Sequence, residues 1–306
     1  MNVSVIIPTY NAQKYLPRLL ESLKQQTMPF ELLIIDSSST DNTIEIANKY
    51  TDNIIVIPHE EFDHGGTRTK AAKASTGDIL IFLTQDALPY DANVLETLLG
   101  VFNDPSTAVA YGRQLAYEKT NLFGKHLRAF NYPPHSHIRT LNDKDTYGFK
   151  TAFLSDSFAA YRRAVLQDIG WFKNGLIVGE DTHAGAKILL EGKNVAYEAA
   201  AKVYHSHSYS IWKEFKRYFD TGVFHKQEFW MIEAFGKAEG EGRRYIKSEI
   251  SYLFKKKAFL LIPEFFMRNG MKYLGYKLGL HYEILPRYFV KKFSLHSLWW
   301  DKHILK

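Results

Sequence analysis

The chain has 306 residues, enough for one large domain or two modest ones, and its 45% hydrophobic and 24% charged content excludes a disordered polypeptide. It has no cysteine, which excludes a disulfide scaffold, a thiol nucleophile and any Cys-ligated zinc or iron–sulfur site. The net charge of +6 is unevenly spread: residues 1–200 carry 19 basic and 23 acidic side chains, whereas residues 201–306 carry 20 and 10, together with 24 of the 45 aromatic residues.

Along the chain, Val3 to Ile7 is an apolar strand stopped by Pro8. Asn11 can cap a following helix whose Leu16, Leu19, Leu20 and Leu23 fall on one face. Glu31 to Ile35 is a second strand ending at Asp36; the run Ser37 to Thr40 is a turn, and Asp41 or Thr40 can cap a helix through Ile44 and Ala47. Asn53 to Ile57 is a third strand. Gly65-Gly66 leads into a helix from Thr67 to Ala74, and Ile79 to Leu83 is a fourth strand ending at Thr84-Gln85-Asp86. Strands apolar on both faces, alternating with helices, predict a mostly parallel sheet covered on both sides, with ligands at the carboxyl ends of its strands.

Residues 87–150 are less regular. They predict a helix over 93–102, a strand near Val109 to Gly112 and a long loop around Pro133-Pro134. Residues 153–190 predict a strand, a helix over 163–169, a glycine-rich loop and a helix from Glu180. From Ile211 the chain reads as helices with basic and aromatic faces. The N-terminus lacks a basic n-region and an A-x-A site, and no run of about 18 apolar residues exists. Both features predict a cytoplasmic protein, with peripheral association at the inner face of the membrane as a further option.

Asp36 and Asp86 lie at strand ends and suit a nucleotide and its metal, although aspartate is equally a favoured turn residue there. No G-x-G-x-x-G follows the first strand and no G-x-x-x-x-G-K-[ST] occurs, which weighs against a dehydrogenase and a P-loop kinase. His64-Gly65-Gly66-Thr67-Arg68 offers paired glycines, a helix start and a guanidinium to an anion; the alternative is a glycine turn with a solvated arginine. Glu180-Asp181 opens a helix and can supply a general base, or simply complement the helix dipole. His205 and His207 share a face at a strand end, where one of them can meet a metal or a diphosphate.

Taken in order, VSVIIPTYN, IIDSSSTDNT, STGDILIFLTQDALP, FAAYRRAVLQDIGWF, VGEDTHAGAKILLEGKNVAY and VYHSHS resemble the family 2 glycosyltransferases of GT-A fold, over residues 2–210. HEEFDHGGTR and EFKRYFDTGVFH are similar to its rhamnosyltransferase branch. The resemblance implies a catalytic domain over 1–210, with a nucleotide-sugar half over 1–90 and an acceptor half over 91–210, followed by a basic helical region over 211–306. It implies an inverting transferase using dTDP-β-L-rhamnose, or alternatively a UDP-hexose or UDP-N-acetylhexosamine, and a lipid-linked saccharide acceptor.

By the same resemblance, Pro8, Tyr10 and Asn11 border the nucleotide, Asp36 meets the base or ribose, and His64, Gly65 and Arg68 contact the nucleotide-sugar. Asp86 holds a divalent cation, Mg²⁺ or Mn²⁺, with His205 assisting. Asp181 is the general base, Glu180 stands beside it, and Asp156 lies near the acceptor. Two positions depart from the family pattern. Asp36-Ser37-Ser38-Ser39-Thr40-Asp41 replaces D-D-G-S-T-D, and Thr84-Gln85-Asp86 replaces D-x-D, leaving one carboxylate for the metal and Gln85 to coordinate or to bind the sugar.

The basic tail also admits a nucleic-acid-binding protein. Its aromatics fall at helical spacing (Phe215, Phe219; Tyr273, Tyr276), which favours a core role over base stacking, and no nucleic-acid partner is expected. Lys255-Lys256-Lys257 beside an apolar run, and Lys291-Lys292 near Trp299-Trp300, suit an anionic membrane surface. The tail can equally form a homodimer interface.

Overall fold

The computed structural model describes residues 1–236 and 240–303. The first half follows the expected alternation: β1 (Val3–Thr9), α1 (Leu16–Lys24), β2 (Glu31–Asp36), α2 (Thr43–Ala47), β3 (Ile54–Val56), α3 (His64–Ala74) and β4 (Ile79–Leu83). Strands β3, β2, β1 and β4 pair in parallel, as expected for segments apolar on both faces.

Next come β5 (Leu88–Pro89), α4 (Val94–Leu99), β6 (Thr107–Leu115), α5 (Leu122–Asn131), β7 (His137–Arg139), α6 (Lys144–Tyr147), β8 (Phe158–Arg162), α7 (Arg163–Asp168), α8 (Glu180–Leu190) and β9 (Asn194–Tyr204). Here β8 inserts antiparallel between β4 and β6, while β6 and β9 are parallel, so a nine-stranded mixed sheet runs β3-β2-β1-β4-β8-β6-β9-β5, with β7 on β9. The reversal at β8 turns the carboxyl end of β4 and the amino end of β8 toward one place, which brings Asp86 and Asp156 to a common rim.

Several local expectations are corrected. Asn11 does not cap α1: it sits at φ 47° and its side-chain oxygen accepts from the Thr40 N–H, while Tyr15 stands at the helix start ahead of Pro17. Helix α3 begins at His64, three residues earlier than expected, because the Asp63 carboxylate caps the Gly66 N–H at 2.7 Å. The irregular stretch around Pro133-Pro134 is a short connection between α5 and β7 rather than a long loop.

The chain ends in α9 (Ile211–Gln227), α10 (Phe229–Phe235), α11 (Glu241–Lys255), α12 (Ile262–Leu280), α13 (Arg287–Phe293) and α14 (Ser297–His303). These helices are not an appendage. One face of the sheet packs α1 and α4 through Leu16, Leu20, Leu95 and Leu98. The opposite face packs α3 and α8, and that same core runs on through Phe219, Val223, Met231, Val290 and Trp300 of the C-terminal helices. The apolar core thus continues across residue 210. Apolar helix faces must be buried somewhere, and here they bury against the layer covering the sheet. A buried polar network adds to this: Glu249 accepts from Tyr245 Oη and Asn269 Nδ2 and faces His126 of α5, while Arg268 and Lys272 of α12 flank Glu214 of α9.

Helices α9 and α12 meet backbone to backbone. A Cβ on Gly279 would lie 2.0 Å from the Phe219 carbonyl oxygen, and one on Gly222 would lie 2.3 Å from that of Tyr276. Gly279→Val must push the helices apart, so a loss of about 2 kcal/mol or more is expected. Urea unfolding checks this, and an unchanged midpoint would contradict the packing.

Candidate active site

A cavity of about 700 Å³ opens at the carboxyl ends of the central strands, between the sheet and α9. Two groups of charged side chains stand at it, all of them lining it except Asp86, which borders it through His205 and His207.

The first group stands on α3, α8 and the turn before β8. Arg68 is buried, with Nη1 3.0 Å from Glu180 Oε1 and Nε 3.4 Å from Asp156 Oδ2. Asp156 Oδ1 accepts from the Tyr161 hydroxyl at 2.5 Å. Asp181 Oδ1 accepts from the Thr182 N–H, and Oδ2 accepts from the Asp156 N–H at 3.3 Å. Burial and the neighbouring Glu180 push the Asp181 carboxyl up to about 6. Burial also lifts Asp156 well above the usual carboxylate range, against the pull of Arg68. The turn that delivers Glu180-Asp181 requires glycine: Gly179 adopts φ 83°, and a Cβ there would lie 2.7 Å from the Phe224 ring.

The second group stands at the ends of β4 and β9. Asp86 Oδ1 lies 3.5 Å from His205 Nε2, and Asp86 Oδ2 lies 3.5 Å from His207 Nε2. Ligand atoms of Asp86, His205 and His207 all fall within 4.8 Å of one another, the spacing of a metal site. The His205 tautomer follows from its partner. Gln114 Oε1 accepts from Arg128 Nη1 at 2.6 Å, and a guanidinium can only donate, so the amide orientation is fixed. The same oxygen is 2.8 Å from His205 Nδ1, which must therefore carry the proton. That leaves Nε2 with a free lone pair toward Asp86. Burial and nearby Arg128 hold His205 well below its usual value, and burial lowers His207, so both stay neutral as metal ligands need. Two imidazoles and a carboxylate fit Mn²⁺ better than Mg²⁺, which prefers oxygen ligands and retained water.

Some expected residues lie elsewhere than their assigned ligands. Asp36 is buried and already accepts from Thr9 Oγ1, Ser39 N–H and Ser39 Oγ, so it shapes the serine turn and offers no free face to a base or ribose. Arg68 is held by carboxylates in place of a diphosphate. Gly65 allows the start of α3 to lie against the Lys173 carbonyl, since a Cβ would come within 2.1 Å of it; the close approach is to protein backbone. The Gln85 amide accepts from the Tyr10 N–H and donates to the Tyr10 carbonyl, so it pins the end of β1. Asp156 lines the cleft with its carboxylate turned to Arg68 and Tyr161. Pro8 sits within β1, while Tyr10, exposed, stacks on His59, and the Asn11 N–H meets Ser39 Oγ. His64 stands 4.0 Å from Glu180.

Sequence reasoning missed Gln114, Arg128 and Arg217 and left His207 as an alternative to His205. Arg217 lies in EFKRYFDTGVFH and lines the cleft, where its charge helps depress both histidines.

This fold and cleft define a nucleotide-sugar transferase of GT-A architecture. The model for "Glycosyl transferase family 2" matches residues 4–170, and the chain belongs to that family. It is 46% identical to the O-antigen chain rhamnosyltransferase WbaN of Salmonella anatum over 97% of this chain and 95% of that one. It is 43% identical to the O-antigen chain rhamnosyltransferase RfbN of Salmonella typhimurium over 98% and 96%. Among solved structures, the fold matches the mannosyltransferase PcManGT from Pyrobaculum calidifontis, in complex with GDP-Man and Mn²⁺, at TM-score 0.60 and 17% identity, over 98% of this chain and 88% of that one. It also matches S. aureus TarS 1-349 in complex with UDP-GlcNAc at TM-score 0.54 and 19% identity, over 92% and 91%.

The Gln114 arrangement predicts that Gln114→Ala weakens Mn²⁺ binding about 10–100-fold, as loss of a partner orienting a metal ligand typically does. Electron paramagnetic resonance of free Mn²⁺ in a titration reads this directly; an unchanged affinity would contradict the tautomer argument.

Proposed function

We propose that this glycosyltransferase moves L-rhamnose from dTDP-β-L-rhamnose to a hydroxyl of a lipid-linked saccharide during surface polysaccharide synthesis, with inversion at the anomeric carbon. The observation that carries the reaction type is the two-ended cleft: a carboxylate with a raised pKa at one end, and cations with metal ligands at the other. The sugar and pathway rest on the full-length similarity to two O-antigen rhamnosyltransferases.

Asp181 takes the proton from the acceptor hydroxyl as it attacks the anomeric carbon. The bond from that carbon to the diphosphate oxygen breaks, and its electron pair leaves with the diphosphate. Charge grows negative on the leaving group, toward Arg217 and the Asp86, His205 and His207 cluster. Asp86, His205 and His207 would hold a divalent cation, whose chemistry there is to neutralise diphosphate charge. Attack on the face opposite the leaving group inverts the centre, in the in-line geometry of an inverting glycosidase with an alcohol in place of water. Arg68 holds Glu180 and Asp156 in place beside the base.

A general base contributes about 10²–10⁴-fold, so Asp181→Asn should abolish transfer while dTDP binding persists. Retention of more than about a tenth of wild-type turnover in a mass-spectrometric assay with dTDP-rhamnose would sink the assignment.

We further propose that the protein works at an anionic bilayer. The end of α11 and the start of α12 expose Phe254, Phe259, Phe266 and Met267, with Leu260 94% exposed, beside Lys255, Lys256 and Lys257. Apolar side chains beside lysines suit the headgroup boundary. The second expected patch is corrected: Trp299 and Trp300 are buried, and Lys291 pairs with Asp301 at 2.9 Å. No helix among the described residues is long and apolar enough to cross a membrane. Sedimentation with phosphatidylglycerol vesicles at low salt is expected for the wild type and lost in Leu260→Asp; equal sedimentation of both would remove this face from the account.

A further inference from the structure

The catalytic cleft has a side chamber. A cavity of about 370 Å³ is lined by Tyr10 and Ser37 at the ends of β1 and β2, by Ile177, and by Leu295, His296 and Leu298 near the C-terminus. His64, Leu295 and His296 border both this chamber and the cleft, so the two adjoin. The chamber lies beside β1, where the strand order turns from β2 to β4, the place where open α/β sheets bind ligands. Its size is that of a small-molecule site. Two of its lining side chains, His59 and His64, each keep a buried ring nitrogen with no hydrogen-bond partner among the described residues.

The C-terminal wall of the chamber is firmly held. The Leu295 N–H donates to Asp220 Oδ2 at 2.8 Å, and the His296 ring meets His64 edge-on at 5.1 Å. The Trp299 indole N–H donates to the Gly175 carbonyl, Lys302 donates to the Phe62 carbonyl, and Trp300 is fully buried. This wall stands far beyond residue 170, where the family match ends.

We propose that residues 295–302 form one wall of the donor's nucleobase subsite, with Leu295 and Leu298 against the 5-methyl edge of a thymine. The inference rests on the reading of this chain as a nucleotide-sugar transferase. The fully buried Asp36, already engaged by Thr9 and Ser39, supports it, because recognition of the base then falls to other groups. Tyr10 offers a ring face for the base, the free nitrogens of His59 and His64 offer polar contacts, and the diphosphate runs past His64 into the cleft. Burying one methyl group corresponds to about a fourfold gain in affinity, which sets the scale of the preference for dTDP over dUDP, the nucleotide that lacks only that methyl.

Calorimetric titration of the full-length protein with dTDP and dUDP, which differ by the 5-methyl alone, tests this in the wild type, Leu298→Ala and Leu298→Asp. Leu298 is 48% exposed, so both variants should fold, and the unfolding midpoint of the ligand-free protein checks that; Leu295→Ala serves if they do not. The wild type is expected to prefer dTDP about fourfold, Leu298→Ala to bring the two affinities together, and Leu298→Asp to weaken both about tenfold or more. Folded variants that keep both the affinities and their ratio would overturn the wall and leave the donor reading intact. A wild type that binds neither nucleotide, or prefers dUDP, would overturn both.

Discussion

One guanidinium stands among three carboxylates at the floor of the cleft. Arg68 touches Glu180 and Asp156, and Asp181 lies close enough to feel its charge. Three acids buried around one cation cannot all ionise at their usual values, since burial disfavours each charge and each acid repels the next. Glu180 has the close ion pair. Asp181 is left with backbone N–H donors and a more distant cation, and its carboxyl rises to about 6. A base poised near the working pH is what proton transfer from a hydroxyl requires. The cluster also ties α3 to α8 and to the turn before β8. Removing its one cation would leave buried charge uncompensated, a loss more serious than that of a surface pair.

The opposite end of the cleft is built by hydrogen-bond logic more than by charge. Arg128 orients the Gln114 amide, Gln114 fixes the His205 tautomer, and His205 then presents a lone pair beside Asp86. The other side of Gln114 donates to Ser155, next to Asp156, so one side chain touches both ends of the site. The C-terminal helices close the arrangement. Arg217 enters the cleft from α9, Asp220 holds Leu295, and the packing of α9 against α12 sets the position of both. The basic excess of the last third is thus partly catalytic surface and partly solvent-facing lysine.

Much of this was legible in the sequence. Runs such as Ile79 to Leu83, apolar at every position, specified the central strands, and the strand-end position of Asp86 marked the rim where it meets His205 and His207. The Glu180-Asp181 pair was legible because adjacent acids at a helix start are a local signal. What was not legible is long-range. Nothing local tells that Asp36 will be satisfied by Thr9 and Ser39, or that Arg68 will meet Asp156, 88 residues on. Gln114 and Arg128 belong to no motif; their role arises from two donors converging on one oxygen. The buried Trp299-Trp300 pair read as an interface anchor because aromatic residues beside lysines look alike at a membrane and in a core.

In the proposed mechanism, crowding of carboxylates raises the Asp181 pKa and so makes it the base. The most direct test is the pH dependence of turnover in the wild type and in Glu180→Gln. In the wild type, turnover should fall as pH drops through about 6, where Asp181 gains its proton. Glu180→Gln removes the neighbouring negative charge and frees Arg68 to face Asp181. Both effects favour the ionised carboxylate, so the acid limb should move to lower pH whatever happens to the maximal rate. An acid limb that stays in place or moves upward would contradict the account.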